Sequence, residues 1–198
     1  MAKCIMCRAT LKIWKPAAVR RRTCASSVEN IDLIVNAAGI YQERRLEKVT
    51  EYDFFSIMDT NVKGTIFLTQ TLLPLLASEG ASIVNIASDA GINGNYGCPL
   101  YCASKGAVVA FTKALALDLA PRVRVNCICP GDVATPMLGK QLQQADGSYT
   151  LEDVEQAYPL ERVGEPLEIA HVICSVLSPF NSFMTGSIIP VDGGLTAK

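Results

Sequence analysis

Histidine is almost missing from this sequence: His171 is the only one among 198 residues. A Ser-His-Asp triad or a multi-histidine metal centre must therefore use His171 or not exist, which removes many hydrolases and zinc enzymes. Charge is also scarce. Asp, Glu, Lys and Arg make up 19%, and 18 basic against 19 acidic residues leave a net charge of −1. That balance argues against a general nucleic-acid binder. No apolar run approaches the ~20 residues that a membrane-spanning helix needs, so neither nucleic acid nor membrane is an expected partner. Glycine is absent until Gly39, the first of 14. What is plentiful is apolar material: 49% hydrophobic residues in a chain of this length suit one domain with a sizeable core.

The charge is unevenly spread. Residues 1–30 hold seven basic residues (Lys3, Arg8, Lys12, Lys15, Arg20, Arg21 and Arg22) against the single acid Glu29, a balance of +6, so the remaining 168 residues sum to −7. This stretch, which also carries the only tryptophan, Trp14, reads as a basic arm separate from a domain at 31–198. An organelle transit peptide has this composition, and so does a poorly ordered arm. The cysteines, Cys4, Cys7, Cys24, Cys98, Cys102, Cys127, Cys129 and Cys174, are irregularly spaced. They suit a reducing compartment, and a cytoplasmic location is expected. Cys4-x-x-Cys7 has the spacing of half a zinc site or of a redox pair, but no second pair follows at ligand spacing, so no metal site is expected. Cys127 and Cys129 alternate within an apolar run and read as small core residues on a strand.

From residue 31 onward strand and helix patterns alternate. Ile31–Val35 is a short apolar run ending in a tight turn, Asn36-Ala37-Ala38-Gly39. Thr50-x-x-Asp53 is close to a capping box, and a helical pattern runs from it to Leu76 with a break near Asn61. Ser82–Ile86 is a second strand, and Pro99 opens a long helix through Leu119, closed by Pro121. Val123–Ile128 is a third strand, ended by Pro130-Gly131; residues 136–160 read as a loop or short helices. Pro166 starts a helix through Leu177, and Ser187–Val191 is a last strand before Asp192-Gly193-Gly194. This order predicts an α/β fold: a doubly wound parallel sheet with helices on both faces.

Tyr101-x-x-x-Lys105 places a phenol and an ammonium on one helix face. A free phenol titrates near 10, and a nearby ammonium lowers that value, so the pair can exchange a proton with an alcohol or ketone near neutral pH. Ser88, thirteen residues earlier, sits just past the end of the second strand, where open α/β sheets place their ligand crevice. Its hydroxyl can hold a substrate oxygen, or serve only as a turn residue. Asn61 is either a satisfied core amide or the carrier of a water that relays the proton to Lys105.

In this order, these residues resemble the short-chain dehydrogenases/reductases of the compact one-domain kind, over about residues 31–196. The turn Asn36, Ala37, Ala38, Gly39 resembles that family's Asn-Asn/Ala-Ala-Gly element beside the adenosine side of the cofactor. Asn61, Ser88, Tyr101 and Lys105 match its catalytic tetrad. Pro130, Gly131, Val133 and Thr135 resemble the segment against the nicotinamide carboxamide, and Asp192-Gly193-Gly194 its last strand ending. The resemblance implies a Rossmann-type fold and hydride transfer between NAD or NADP and a small-molecule secondary alcohol or ketone. Tyr101 would be the acid/base and Ser88 the orienter. Lys105, besides tuning that phenol, would anchor the ribose with Tyr101, and Asn61 would be the water-relay post. Helices near 62–77 and 99–119 would pair between subunits, giving a homodimer or homotetramer.

One departure is large. The family opens with a strand and a glycine-rich phosphate loop, whose glycines let backbone approach the pyrophosphate. Residues 1–30 contain no glycine. The missing half would hold three strands and two helices, about 40 residues before loops at average element lengths. The expectation is a chain lacking that half, with weak cofactor binding. Ile31–Val35 then becomes an apolar edge strand with one uncovered face, whose association a charge at Ile34 should relieve. A catalytically silent remnant that serves as an oligomerisation module is the alternative to an active oxidoreductase.

Overall fold

The computed structural model describes residues 30–144 and 148–197. Most of the basic arm, with Trp14 and Cys4-x-x-Cys7, lies outside them. Among the described residues four strands form one parallel sheet in chain order: β1 (Leu33–Asn36), β2 (Ala81–Ile86), β3 (Val123–Pro130) and β4 (Ile188–Val191). Register runs Ile34 beside Ile83 and Ile83 beside Val125, then Ile128 beside Ile189. The central strands β2 and β3 are largely apolar because they are covered on both faces and have no solvent face to mark with polar residues.

Among the described residues six α-helices carry the connections: α1 (Glu51–Ile57), α2 (Gly64–Leu72), α3 (Pro99–Leu119), α4 (Pro136–Gln144), α5 (Leu151–Gln156) and α6 (Pro166–Leu177). Alternation along the strands divides the core. Ile34, Ile83, Val123 and Val125 pack with Leu76 and Ala116 on the α3 side. Val84 and Ile128 pack with Val176 and Leu177 of α6 on the other. Arg124, leaving β3, sends its guanidinium to the carbonyls of Val176, Leu177, Ser178 and Met184, so one side chain satisfies the open end of α6. Cys127 and Cys129 are buried beside Ala87 and Val108, as small core residues on a strand.

The expected helix break near Asn61 takes a specific form. Thr50 and Asp53 close a full capping box on α1, and the chain then widens into a π-turn over Met58–Lys63 before α2. Asn61 is buried in that turn, a placement common for π-bulges at functional sites. Three other expectations are modified. Residues 37–45 form an irregular loop rather than a tight turn. Among the described residues β1 pairs only with β2, and its half-open residues are Leu33 and Val35, while Ile34 faces the core. A charge at Ile34 would therefore break the core instead of relieving an edge. Finally, α3 is long and apolar enough, by length and composition alone, to cross a membrane. Its buried stripe of Tyr101, Ser104, Lys105, Val108, Thr112 and Ala116 is what packing on a sheet requires.

Candidate active site

β2 ends by delivering Ser88 to the C-terminal edge of the sheet. There the chain turns tightly over Asp89–Gly91. Ser88 Oγ accepts from the Ala90 N–H at 3.2 Å and donates to Asp89 Oδ1 at 2.6 Å. Asn95 holds the other Asp89 oxygen at 3.0 Å. Gly91 permits the next step: a Cβ there would lie 2.8 Å from the Lys105 carbonyl carbon and 2.9 Å from its oxygen. Only glycine lets this turn lie directly on α3.

Tyr101 and Lys105 lie one turn apart on α3, both buried. The Tyr101 ring meets the edge of Tyr41 at 4.9 Å between centroids, and Lys105 Nζ stands 5.8 Å from its centroid. Lys105 Nζ donates to the Ile86 carbonyl at 3.1 Å, fastening α3 to β2. Asn61 reaches the same place from the π-turn. Its amide brackets Ile40, accepting from the N–H at 2.8 Å and donating to the carbonyl at 3.0 Å, and it also donates to Ser104 Oγ at 3.0 Å. Gly39 lies between these groups; a Cβ on it would sit 3.3 Å from Lys105 Nζ and 3.5 Å from Asn61 Oδ1. All four tetrad candidates are thus held around one point, and Asn61 acts there as a clamp on the loop after β1.

The ionisation differs from the simple expectation. Burial pushes the Tyr101 phenol above its usual range; the Ser88 hydroxyl pulls it back, while Asp89, Cys98 and Asp132 add to the rise. Burial also brings the Lys105 ammonium down to about 8, opposed by the thiols of Cys127 and Cys129 beside it. Without further positive charge the phenol therefore keeps its proton, and burial rather than Lys105 sets its value.

The remaining site candidates split into two groups. Asn36 is buried and turned inward, donating to Thr69 Oγ1 at 2.9 Å and Asn85 Oδ1 at 2.8 Å, while Asn85 donates on to Thr112 at 2.9 Å. That chain ties β1, β2, α2 and α3 together. Ala37 and Ala38 are exposed beyond it. Pro130 is buried at the end of β3; Gly131, Val133 and Thr135 are half-buried after it. Gly131 is pinned by Tyr158, whose ring a Cβ there would meet at 2.8 Å. The Tyr158 hydroxyl donates to Asp132 Oδ2 at 2.8 Å and accepts from the Asp132 N–H at 2.7 Å. Val133 bridges to Gly164.

The profile of a family described as enoyl-(acyl carrier protein) reductase matches residues 17–196. A solved structure from Brucella melitensis, titled as a short-chain dehydrogenase/reductase and glucose/ribitol dehydrogenase, superposes with a TM-score of 0.82 at 38% identity, covering 90% of this chain and 72% of that one. The chain belongs to the short-chain dehydrogenase/reductase family. A 3-oxoacyl-(acyl-carrier-protein) reductase of Thermotoga maritima is 40% identical over 167 residues, 83% of this chain and 66% of its own length. A meso-2,3-butanediol dehydrogenase of Serratia marcescens is 36% identical over 175 residues, 88% of this chain and 68% of its own. The chain thus spans about two thirds of the length of these short-chain dehydrogenase relatives.

Five positions around the site escaped the sequence reading: Tyr41, Asp89, Gly91, Asp132 and Tyr158. Asp89 directly follows Ser88, and Gly91 comes two residues later, so a turn pattern of Ser-Asp-x-Gly was the available signal. Tyr41 and Tyr158 reach the site from distant segments, and nothing local marks them.

Proposed function

We propose that this chain is an NAD(P)-dependent oxidoreductase that interconverts a secondary alcohol and a ketone. The observation that carries the reading is the convergence of Ser88, Tyr101 and Lys105 where β2 ends against α3. The nicotinamide would accept or supply the hydride. The residues present fit its ribose side: Lys105 Nζ spends one N–H on Ile86, leaving two donors for vicinal hydroxyls, and the bare Cα of Gly39 leaves room beside it. Lys105 and Tyr101 would hold that ribose, with Asn36, Ala37, Ala38 and Gly39 on the adenosine side and Pro130, Gly131, Val133 and Thr135 on the nicotinamide side.

Chemically, Tyr101 moves the proton of the substrate oxygen. Its raised pKa keeps the phenol protonated, so it has a proton to give to an alkoxide forming from a ketone, and added positive charge near the ring would lower that value for the reverse step. Ser88 holds the substrate oxygen beside the phenol. Its proton is already committed to Asp89 in this structure, so it meets an alcohol as an acceptor and must turn to meet a ketone. Asn61 holds loop and helix around Lys105.

The test is turnover of the full chain with NAD(H) or NADP(H) against secondary alcohols, polyols and 3-oxoacyl thioesters, followed by nicotinamide absorbance. Tyr101→Phe should remove all turnover without unfolding the chain, because it deletes the proton and little volume. Activity surviving that change would remove the assignment. Assembly follows the same surfaces: Phe67 on α2 and Leu117 on α3 are exposed apolar residues, and we propose a homodimer or homotetramer built there.

A further inference from the structure

Two thiol pairs in this protein have the same separation and different access. Cys127 and Cys129 stand 3.9 Å apart on β3, both fully buried. Cys98 and Cys102 also stand 3.9 Å apart, at the N-cap of α3 and in its second turn, with Cys98 buried and Cys102 half-buried. Tyr101 lies between them in sequence and packs in one cluster with Cys98, Cys102, Ala90 and Tyr41. The pair shares one acceptor, the Asn95 carbonyl, at 3.7 Å from Cys98 Sγ and 4.0 Å from Cys102 Sγ. The Asn95 N–H also donates to Cys102 Sγ at 3.4 Å. The loop before α3 thus gathers both sulfurs on one side, and Cys174, the exposed thiol on α6, has no such neighbour among the described residues.

We propose that Cys98 and Cys102 are a reversible oxidation site, converted by a hydroperoxide to a disulfide in the wall beside Tyr101. The Cys102 thiolate attacks one peroxide oxygen, the O–O bond breaks, and the departing hydroxide takes a proton to become water. Cys102 is left as a sulfenic acid. Cys98 sulfur then attacks the sulfenic sulfur; the S–O bond breaks, the S–S bond forms, and a second water leaves with the Cys98 proton. Two thiols lose two electrons in all, and one peroxide is reduced. Order follows from environment: burial and the neighbouring Cys102 push the Cys98 thiol up to about 12, which suits the resolving sulfur, while Cys102 meets solvent.

Backbone geometry permits the closure at a definite place. Side chains four apart on a helix have Cβ atoms about 5–6 Å apart, and a disulfide needs about 3.5–4.5 Å. Cys98 is outside the helical region, at φ −135 and ψ 47, so its end of the pair can move without unwinding α3. The turn that tightens is the one bearing Tyr101.

The reduced full chain is exposed to hydrogen peroxide, quenched with iodoacetamide and cut with trypsin. Both cysteines fall in the single peptide 64–105, and Cys127 with Cys129 in the peptide 125–140. The first peptide should lose two hydrogens and take up no iodoacetamide, and after chymotrypsin cuts at Tyr101 its halves should stay joined until reduced. It should react at least tenfold faster than the second peptide, whose sulfurs are equally close and sealed. In Cys98→Ser, Cys102 should stop as a sulfenic acid that dimedone traps; if that variant does not fold, Cys102→Ser should leave Cys98 alkylatable at the same dose. Two alkylatable thiols remaining in peptide 64–105 after Cys174 is consumed would overturn the proposal. So would Cys102 sulfinic acid with Cys98 still free, or equal rates for the two pairs.

Discussion

The centre of the sheet and its β1 edge are built from the same kinds of residue and live in different surroundings. Ile83, Val84, Val125 and Ile128, on β2 and β3, are 0% exposed, whereas Leu33 and Val35 on β1 are 44% and 41% exposed. The two faces of β1 differ from each other as well. Ile34 and Asn36 look toward α2 and α3 and are buried; Leu33 and Val35 look the other way, where α6 covers β2 and β3 but not β1. The site therefore draws its rigidity from one covered face. Asn36, the loop through Gly39 and Ile40, the π-turn with Asn61, and α3 all belong to that side.

The largest effect should come from cutting the centre. Ile83→Ala removes a fully buried side chain from between Ile34, Val125 and Ala116, and should cost ~2–5 kcal/mol in urea unfolding. Leu33→Ala, a cut of the same kind on the neighbouring strand and the other face, should cost less than ~1 kcal/mol, since that side chain is 44% exposed. Equal losses would mean that Leu33 is buried in solution by something that packs on β1. The paired measurement thus reads the open face directly.

Gly91→Ala tests how the covered face holds the site. Its new Cβ would meet the Lys105 backbone rather than a flexible tip, so relief requires the Ser88 turn and α3 to separate. An overpacking cost of ~1–3 kcal/mol is expected, with loss of any turnover that depends on Ser88 and Tyr101 sharing one substrate oxygen. A variant as stable and active as the parent would show that this approach is looser than the structure has it.

Most of the architecture was legible because hydrophobic runs and their punctuation are local. Pro99 at the first turn of α3, the Thr50 and Asp53 capping box, and the four apolar runs all announced their elements, and α3 ends at Leu119 as read. The proximity of Ser88, Tyr101 and Lys105 was legible for a different reason: i, i+4 spacing and a strand end bring those three side chains together with little long-range information. What stayed hidden depends on contacts across the chain. Asn61 reads only as a polar interruption until the Ile40 backbone appears in its amide. The rise of the Tyr101 phenol comes first from its burial, with Asp89 adding to it across the fold, and Tyr158 gains meaning only where it meets Gly131.

Protonation offers a smaller effect on the same face. Burial holds the Lys105 ammonium down to about 8 from its ordinary 10.5. Between those values the unfolded chain binds the proton and the folded chain has released it, so stability rises with pH there. Below about 8 both states are charged and the full penalty of burying the ammonium remains. Lys105→Met removes the titration and keeps the volume. The parent should therefore gain ~1–2 kcal/mol on that variant as the pH rises from about 8 to about 10.5. A stability difference that stays flat over this range would mean that Lys105 is solvated in the folded chain.

The smallest expected change in stability is at the open face itself, where Leu33→Lys adds a charge beside Asp32 on a strand that, among the described residues, pairs on one side only. The long stem can lie along the apolar surface with its head in water, so unfolding should shift by no more than ~0.5 kcal/mol. Self-association should respond much more. Among the described residues β1 has no partner along one edge and carries two apolar side chains on one face, and a lysine there is the common natural device against edge pairing. If copies of the chain associate through this strand, Leu33→Lys should reduce their light scattering while leaving an assembly through α2 and α3 intact. Ile34→Lys gives the opposite control, because it places the charge among Leu76, Ile83 and Val125 and should unfold the chain. A single species of two or four chains in both the parent and Leu33→Lys places the contact on the helices. Scattering that falls to that species only in the variant places it on β1.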